Sequence, residues 1–327
     1  MGSDLFVPLL VIVISSIAIY FAGKKFAESS SNIGDYFRIP RDVKGATLDA
    51  ISSSMPELLV ALFSVIIFKQ FEVGIGTIAG SALFNLLVIP GICVFLAPVA
   101  FKVGKKVISR DALFYMIAVF TLIVLIIYFK TWGLIIAAIL LAIYLIYVFE
   151  ISRHVKKHRR ENKVKKNKGI NISREFFIFF IALIVIAAFT YLLTSQSIGL
   201  SKILGVSPII IAFTITAAAT SLPDTIISAV NARKGNIDEA VSNVFGSNIF
   251  DISVGLGLPL LIITLIKGPI NIAFVNLEIV LGLLGSTILV IYFFLNDEVL
   301  SKRKAAFLLF MYVVFVVYVV LLSIKLV

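Results

Sequence analysis

The sequence predicts an all-α polytopic membrane protein with about ten transmembrane helices, built as two inverted five-helix repeats whose broken helices meet at the midplane. Three observations support this fold class. The 327-residue chain is 60% hydrophobic and only 14% charged, with a mean hydropathy of +1.10, which is far from the composition of soluble domains. Its apolar runs are long enough to cross a bilayer. Two of these runs contain a proline followed directly by a carboxylate, a combination that is costly in lipid.

The apolar runs define the individual helices, because a spanning helix needs about 20 consecutive apolar residues. These runs fall near residues 5–22, 45–69, 73–98, 111–129, 133–150, 174–194, 206–231, 238–266, 271–295 and 305–324.

The basic residues predict the orientation. If the loops alternate between the two sides, 24 of the 29 Lys and Arg residues fall on one side and 5 on the other. Loops that are rich in Lys and Arg mark the cytoplasmic side of a membrane protein. We therefore expect a multi-pass protein of the cell (plasma) membrane, with both termini outside and the 151–173 loop inside. The net charge of +11 is then explained by these loops, without nucleic acid as a partner.

The basic loop also predicts the domain organisation. It separates a first half (1–150), with a repeat at about 45–91, from a second half (174–327), with a repeat at about 212–259. The two copies lie five helices apart, an odd number, so they face opposite ways, as in many transporters. An offset of 167 or 166 residues pairs Ser54 with Ser221, Pro56 with Pro223, Glu57 with Asp224, Gly80-Ser81 with Gly246-Ser247, and Asn85 with Asp251.

The candidate site consists of carboxylates near the middle of their helices, and such residues mark ion paths by default. Glu57, Asp224 and Asp251 are these carboxylates. Their helices also offer hydroxyl and amide oxygens, and each proline loosens the backbone so that nearby carbonyls can turn toward an ion. An all-oxygen set suits Ca²⁺, Na⁺ and K⁺. The further candidate ligands are Asn85, Ser53, Ser54, Ser81, Thr220, Ser221 and Ser247, with the carbonyls of Ala50 and Ala217.

Other residue types argue against competing chemistry. Cys93 is the only cysteine, so an intrachain disulfide and a cysteine-rich metal site are both excluded. The only two histidines, at 154 and 158, lie in the basic loop, which argues against histidine-dependent catalysis within the membrane. Three more acids, Asp49, Asp111 and Glu278, lie near helix ends, and we expect them at the membrane interface.

At these residues the sequence resembles the sodium/calcium exchanger superfamily of cation antiporters. GATLDAISSSMPELLVALFSV and AFTITAAATSLPDTIISAV look like the first halves of its two alpha repeats, and GIGTIAGSALFNLL and EAVSNVFGSNIFDISVGLGLP look like the second halves. GSALFN in the first repeat, together with the choice of acids, is most similar to the potassium-dependent sodium/calcium exchanger branch. The chain departs from the family pattern at Asp49, Ser52 and Ala219.

The resemblance implies a transporter that is not an enzyme and needs no cofactor, with the lipid bilayer and the transported cations as partners. It implies Na⁺ exchanged against Ca²⁺ and K⁺ by alternating access. Helices two, three, seven and eight would hold the ions, while helices one and six would move past them. It also implies a Ca²⁺ site at Glu57 and Asp224, K⁺ linked to Asp251, and Na⁺ sites at Ala50, Ser53, Ser54, Ser81, Ala217, Thr220, Ser221 and Ser247.

The residues alone leave several alternative functions open. Three midplane carboxylates carry up to −3, which Ca²⁺ with K⁺ would balance, but a protonated Asp251 would leave Ca²⁺ alone balancing the other two. The chain could then be a K⁺-independent Na⁺/Ca²⁺ exchanger or a Ca²⁺/H⁺ exchanger. A channel and an intramembrane aspartyl protease using Asp224 and Asp251 are more remote alternatives. The chain lacks the Gly-x-Gly-Asp sequence of such proteases, and a protease function would leave the inverted repeat unexplained.

Overall fold

The computed structural model describes residues 2–39, 44–161, 170–272, 277–296 and 299–325, and nearly all of them are helical. The helices are α1 (Gly2–Tyr36), α2 (Ala50–Ser53), α3 (Met55–Ile66), α4 (Phe71–Leu96), α5 (Lys105–Val107), α6 (Leu113–Tyr128), α7 (Leu134–Glu161), α8 (Ile172–Leu204), α9 (Pro208–Ile211), α10 (Ala217–Thr220), α11 (Leu222–Arg233), α12 (Ile237–Phe250), α13 (Leu256–Lys267), α14 (Leu277–Asn296) and α15 (Lys302–Lys325). Four π-helical turns join some of them: π1 (Gly45–Asp49), π2 (Ile108–Ala112), π3 (Ala212–Thr216) and π4 (Asp251–Gly255). One two-residue antiparallel pairing joins β1 (Thr131–Trp132) to β2 (Ile270–Asn271).

The predicted all-α membrane fold is confirmed. Within the described ranges, seven helices are long and apolar enough to cross a membrane, and two further pairs of helices qualify as bent spans. The shorter apolar helix Leu281–Leu295 corresponds to the ninth predicted span. These segments match the ten predicted runs one for one.

Two central helices, α4 and α12, form the middle of the molecule. Almost every residue of both is buried, and both belong to the largest hydrophobic core. Glycine allows α4 to approach the opposite repeat closely. A Cβ on Gly80 would collide with the Phe213 carbonyl group and would lie 2.7 Å from the Ala217 Cβ. Gly80 therefore permits close contact between helices of the two repeats.

The first and sixth predicted spans, α1 and α8, are longer than their apolar runs. They have 35 and 33 residues, or about 50 Å at 1.5 Å per residue, and they pack along each other. A bilayer core is about 30 Å thick, so helices of this length must tilt or project from it. The predicted ranges 5–22 and 174–194 were too short because hydropathy reports the membrane thickness, whereas the helices continue through polar sequence.

The basic linker is partly helical, since α7 continues to Glu161 and α8 begins at Ile172. Residues 162–169 of the predicted 151–173 linker lie outside the described residues, as do the side chains of both histidines.

Asp49 and Asp111, the two acids expected at the membrane interface, have side chains that are buried within the protein. The Asp111 carboxylate accepts bonds from Arg110 Nε at 2.6 Å, Ser242 Oγ at 2.8 Å and the Tyr147 hydroxyl at 3.2 Å. Sequence position near a helix end did not reveal the last two partners because they come from other helices. The side chain of Glu278 lies outside the described residues.

Candidate functional site

The two broken helices place the predicted site residues at the centre of the molecule. The axis bends by 48° between Thr47–Ser53 and Met55–Ile66, and by 41° between Pro208–Thr220 and Leu222–Arg233. Each break falls just before a proline, Pro56 or Pro223, which lacks the N–H that would continue the helical ladder. The breaks at Ser54 and Ser221 are 167 residues apart.

Two of the π-helical turns are related by the same offset. π1 (45–49) and π3 (212–216) are also offset by 167 residues, so each half approaches its break through the same distortion. Widened turns of this kind occur often at functional sites, because they redirect the backbone without ending the helix. The fourth turn, π4, begins at Asp251, whereas the equivalent Asn85 lies in regular helix within α4. The two repeats therefore differ in backbone geometry at the position that holds Asp251 in one repeat and Asn85 in the other.

Three carboxylates meet between the broken helices. Glu57, Asp224 and Asp251 are fully buried, and each contributes an oxygen atom to a group in which all three oxygens lie within 4.8 Å of one another. Uncompensated negative charges at this spacing repel strongly in a low-dielectric interior. The arrangement can therefore attract and hold cations.

Hydroxyl groups connect Glu57 to Asp251. Ser81 Oγ lies 3.4 Å from Glu57 Oε1 and 3.2 Å from Asp251 Oδ2. Ser221 Oγ lies 3.4 Å from the same Glu57 oxygen and 2.9 Å from Ser81 Oγ. One residue from each repeat thus contacts Glu57, so the site spans the interface between the repeats.

The hydrogen bonds to Asp224 are shorter than those to Glu57 and Asp251. Ser247 Oγ donates to Asp224 Oδ1 at 2.6 Å, and Asn85 Nδ2 donates to Asp224 Oδ2 at 2.9 Å. Asn85 Nδ2 also lies 3.0 Å from Asn248 Oδ1, and Asn248 in turn donates to the carbonyl of Ala82 at 3.2 Å. Both carboxylate oxygens of Asp224 are thereby fixed in direction.

Several oxygen atoms of the site have no hydrogen-bond partner among the described residues although they are buried. They are Glu57 Oε2, Asp251 Oδ1, Asn85 Oδ1 and Ser54 Oγ. Buried polar atoms are normally paired, and an unpaired one calls for an explanation such as an ion. All four belong to the predicted ligand set, and all are hard oxygen donors.

The remaining predicted ligands take part in backbone interactions. The carbonyls of Ala50 and Ala217 accept the N–H groups of Ser54 and Ser221, both at 3.0 Å, and each carbonyl also accepts a side-chain hydroxyl, that of Ser53 at 3.3 Å for Ala50 and that of Thr220 for Ala217. The Thr220 hydroxyl donates to Ala217 O at 3.1 Å, and the Ser53 hydroxyl donates to Asp49 O at 2.8 Å. Both hydroxyls therefore bond back to the backbone of their own helices.

One residue of the site was missed from the sequence. Asn243 Nδ2 lies 3.4 Å from the Asp224 carbonyl oxygen and 3.0 Å from Ser228 Oγ, while its Oδ1 lies 3.5 Å from Ser53 Oγ. A signal was present, because Asn243 precedes Ser247 by four residues and Asp251 by eight. Such spacing places all three side chains on one face of a helix.

Comparison with known proteins identifies the family. The model of the family "Sodium/calcium exchanger protein" matches residues 7–152 and 174–321. The chain belongs to the sodium/calcium exchanger family. Because members of this family are membrane transporters, it is a cation/Ca²⁺ antiporter rather than an enzyme, and it works without a cofactor.

Individual relatives agree with this assignment. The chain is 28% identical over 267 residues to Inner membrane protein YrbG of Escherichia coli (strain K12), covering 79% of this chain and 78% of the relative. It is 49% identical over 98 residues to human Sodium/potassium/calcium exchanger 1, covering 29% of this chain but only 9% of that protein. A solved structure of the sodium-calcium exchanger NCX_Mj superposes with a TM-score of 0.67 at 20% identity, covering 95% of this chain and 98% of that one. This structural likeness establishes the shared fold.

Proposed function

We propose that this antiporter exchanges Na⁺ against Ca²⁺, that K⁺ moves together with Ca²⁺, and that the twelve predicted oxygen-bearing residues hold these ions. The observation that carries the proposal is the group of three fully buried carboxylates within 4.8 Å of one another. Na⁺ and Ca²⁺ would compete for Glu57 and Asp224, because a carboxylate oxygen cannot fully ligate both. Competition for shared ligands is what makes exchange obligatory.

Charge balance favours K⁺ as a co-substrate. The three carboxylates carry −3 when ionised, and Ca²⁺ with K⁺ supplies +3. Protonation of Asp251 is the competing way to reach balance. Oδ1 of Asp251 has no hydrogen-bond partner among the described residues. A cation ligand explains the same unpaired oxygen directly. The resemblance to Sodium/potassium/calcium exchanger 1 over 98 residues supports the same choice.

The packing supports an alternating-access mechanism in which α1 and α8 move together. The two helices share two small hydrophobic clusters outside the main core around α4 and α12, one centred on Ile19 and Leu193 and the other on Phe26 and Ile186. A third small cluster includes Ile198 of α8 and Val73 of α4. Separate clusters can slide over the core without opening it. We therefore propose that this pair of helices exposes the site to each side in turn.

The test is uptake of radioactive Ca²⁺ into Na⁺-loaded proteoliposomes, with either K⁺ or choline outside. Uptake that requires both internal Na⁺ and external K⁺ is the expected result. Equal uptake in K⁺ and choline would reject K⁺ cotransport while keeping the exchanger. Uptake driven by a pH gradient without Na⁺ would instead establish Ca²⁺/H⁺ exchange. Liposomes loaded with choline in place of Na⁺ control for leakage.

For localisation, we propose a multi-pass protein of the cell membrane with both termini outside and the 151–173 loop in the cytoplasm. The support is the division of 24 and 5 basic residues between the two sets of loops. Single cysteines replacing the exposed Lys130 and Lys234, in a Cys93→Ser background, would test it with a membrane-impermeant maleimide. Labelling of intact cells at position 130 alone is expected. Labelling at 234 alone would invert the topology.

A further inference from the structure

A chain of hydrogen bonds runs from the central site outward to two helices, α6 and α14, that carry none of the proposed ligands. Its first link joins the two central helices, since Asn85 Nδ2 donates to Asn248 Oδ1 at 3.0 Å. Its next link joins the side chains of Asn248 and Tyr115, and Tyr115 lies on α6. Its last link is the 3.2 Å contact between the Tyr115 hydroxyl and Thr287 Oγ1 on α14.

The chain fixes which end of the Asn85 amide faces the ions. The carbonyl oxygen of Ala82 can only accept a hydrogen bond, so Asn248 presents Nδ2 to it, at 3.2 Å. Asn248 therefore presents Oδ1 to Asn85, and Asn85 meets that oxygen with Nδ2. Asn85 Oδ1 is left for the ion site, where it is one of the four buried oxygens without a hydrogen-bond partner among the described residues.

Tyr115 holds Asn248 in this orientation. Nδ2 of Asn248 carries two hydrogens, and the Ala82 carbonyl takes only one of them. The Tyr115 hydroxyl is the further hydrogen-bond partner of the Asn248 side chain, and the Tyr115 ring packs against Phe245 of α12 with 5.8 Å between the ring centres. Tyr115, Thr287 and Asn248 are each at most 2% exposed, so bulk water does not compete for these groups.

The inverted repeat shows why such a chain is needed on one side only. The offset of 166 residues that pairs Asn85 with Asp251 also pairs Ala82 with Asn248. A carboxylate has two oxygens, so Asp251 offers oxygen to an ion whichever way it turns. An amide offers oxygen at one end only, and a reversed Asn85 would direct N–H groups at a cation. The counterpart of Asn248 accordingly has no hydrogen-bonding side chain.

We propose that Tyr115 and Thr287 are positioning residues for ion binding, which act through Asn248 to hold the Asn85 amide oxygen toward the transported Ca²⁺. Neither residue is itself a ligand. Loss of the Tyr115 hydroxyl leaves one N–H of Asn248 without an acceptor, so both amides lose their fixed orientation. Ca²⁺ affinity then falls while the movement of α1 and α8 is unaffected. This inference rests on the proposed Ca²⁺ exchange, in which Asn85 is a ligand.

The transport test measures Km and Vmax for Na⁺-driven uptake of radioactive Ca²⁺ into proteoliposomes. Tyr115→Phe keeps the aromatic ring and Thr287→Val keeps the branched shape, so each variant removes only a hydroxyl. Each is expected to raise the Km about three- to tenfold at unchanged Vmax, which is the effect of one lost hydrogen bond. An unchanged Km, with or without a lower Vmax, would overturn the positioning role.

The chain offers a matched control for each substitution. The hydroxyls of Tyr144 and Thr264 are also buried, but they have no hydrogen-bond partner among the described residues. Tyr144→Phe and Thr264→Val are therefore expected to retain the wild-type Km. Equal rises in Km in all four variants would reveal a general response to the loss of a buried hydroxyl, and this result would also overturn the proposal.

A mutant cycle tests the route through Asn248 without transport. Equilibrium dialysis with radioactive Ca²⁺ in Na⁺-free detergent gives the Kd, and Asn248→Ala removes the link while keeping all the proposed ligands. Tyr115→Phe is expected to raise the Kd about three- to tenfold in the wild-type background and to leave it unchanged in Asn248→Ala. Equal factors in both backgrounds would overturn the route.

Thermal melting verifies that each variant is folded, and Asn248→Leu, which leaves no cavity, replaces Asn248→Ala if the latter is not. A wild-type protein that neither binds nor exchanges Ca²⁺ would instead overturn the proposed function. Wild-type exchange with no difference between Tyr115→Phe and Tyr144→Phe would overturn the positioning role alone.

Discussion

Asn85 and Asp251 occupy equivalent positions in the two repeats but have opposite roles in the hydrogen-bond network. Asn85 donates to the Asp224 carboxylate at 2.9 Å, whereas Asp251 accepts from Ser81 at 3.2 Å and keeps one oxygen unpaired among the described residues. An acid at position 85 would face Asp224 directly and add a fourth negative charge. The amide instead provides a donor there, so the site holds three carboxylates with a distinct environment for Asp251.

Asp251→Asn should remove the K⁺ requirement while keeping Na⁺/Ca²⁺ exchange. The substitution is close to isosteric and leaves two carboxylates, which Ca²⁺ alone balances. Uptake into Na⁺-loaded proteoliposomes should then be equal with K⁺ and with choline outside. A variant that is still stimulated by K⁺ would assign K⁺ to other residues.

Glu57→Gln should reduce Ca²⁺ uptake at least about a hundredfold. Removing one member of a buried charge-paired group costs about 3 kcal/mol or more, and this corresponds to that factor in affinity. Na⁺-driven uptake is the measurement. Glu72→Gln is the matched control, because Glu72 lies at the exposed start of α4 outside the site and should retain wild-type uptake. Near-normal flux in Glu57→Gln would reject the shared site for Na⁺ and Ca²⁺.

Ser247→Ala should raise the Km for Ca²⁺ about tenfold. Ser247 donates to Asp224 Oδ1 at 2.6 Å, and hydrogen bonds to charged groups contribute about 1.5–3 kcal/mol. Without this donor, the carboxylate loses its fixed direction toward the site. The control is Ser286→Ala, since the Ser286 hydroxyl bonds to the carbonyl of Leu283 within its own helix at 2.9 Å. Equal Km values in the two variants would exclude an orienting role for Ser247.

Much of the site could be predicted from the sequence because carboxylates and prolines are costly in a membrane. A proline followed by an acid stands out in an apolar run, as at Pro56-Glu57 and Pro223-Asp224. Because this pair recurs at an offset of 167 residues, the sequence also locates the two helix breaks. Tertiary contacts could not be predicted in the same way. Asp111 near a helix end gives no sign of Tyr147 and Ser242, which are brought to it by two other helices. Similarly, the π-helical turns arise from packing, and no characteristic amino-acid composition marks them in the sequence.

Gly80→Ala should lower both the stability and the Ca²⁺ affinity of the protein. The added methyl group would press on the Phe213 carbonyl and on the Ala217 Cβ, and overpacking typically costs about 1–3 kcal/mol. Because the Ala217 carbonyl is a proposed ligand, displacing π3 and α10 should also raise the Km for Ca²⁺. Thermal melting in detergent and Na⁺-driven uptake measure the two effects.

The matched control for this change is Gly199→Ala in α8. A Cβ at Gly199 would meet no atom within 4 Å, so alanine should stabilise the helix by about 0.5–1 kcal/mol and leave transport unchanged. Opposite shifts in melting temperature for the two variants would tie the effect at Gly80 to the contact between repeats. If Gly80→Ala instead melted and transported like Gly199→Ala, the close approach of α4 to the second repeat would have no part in shaping the site.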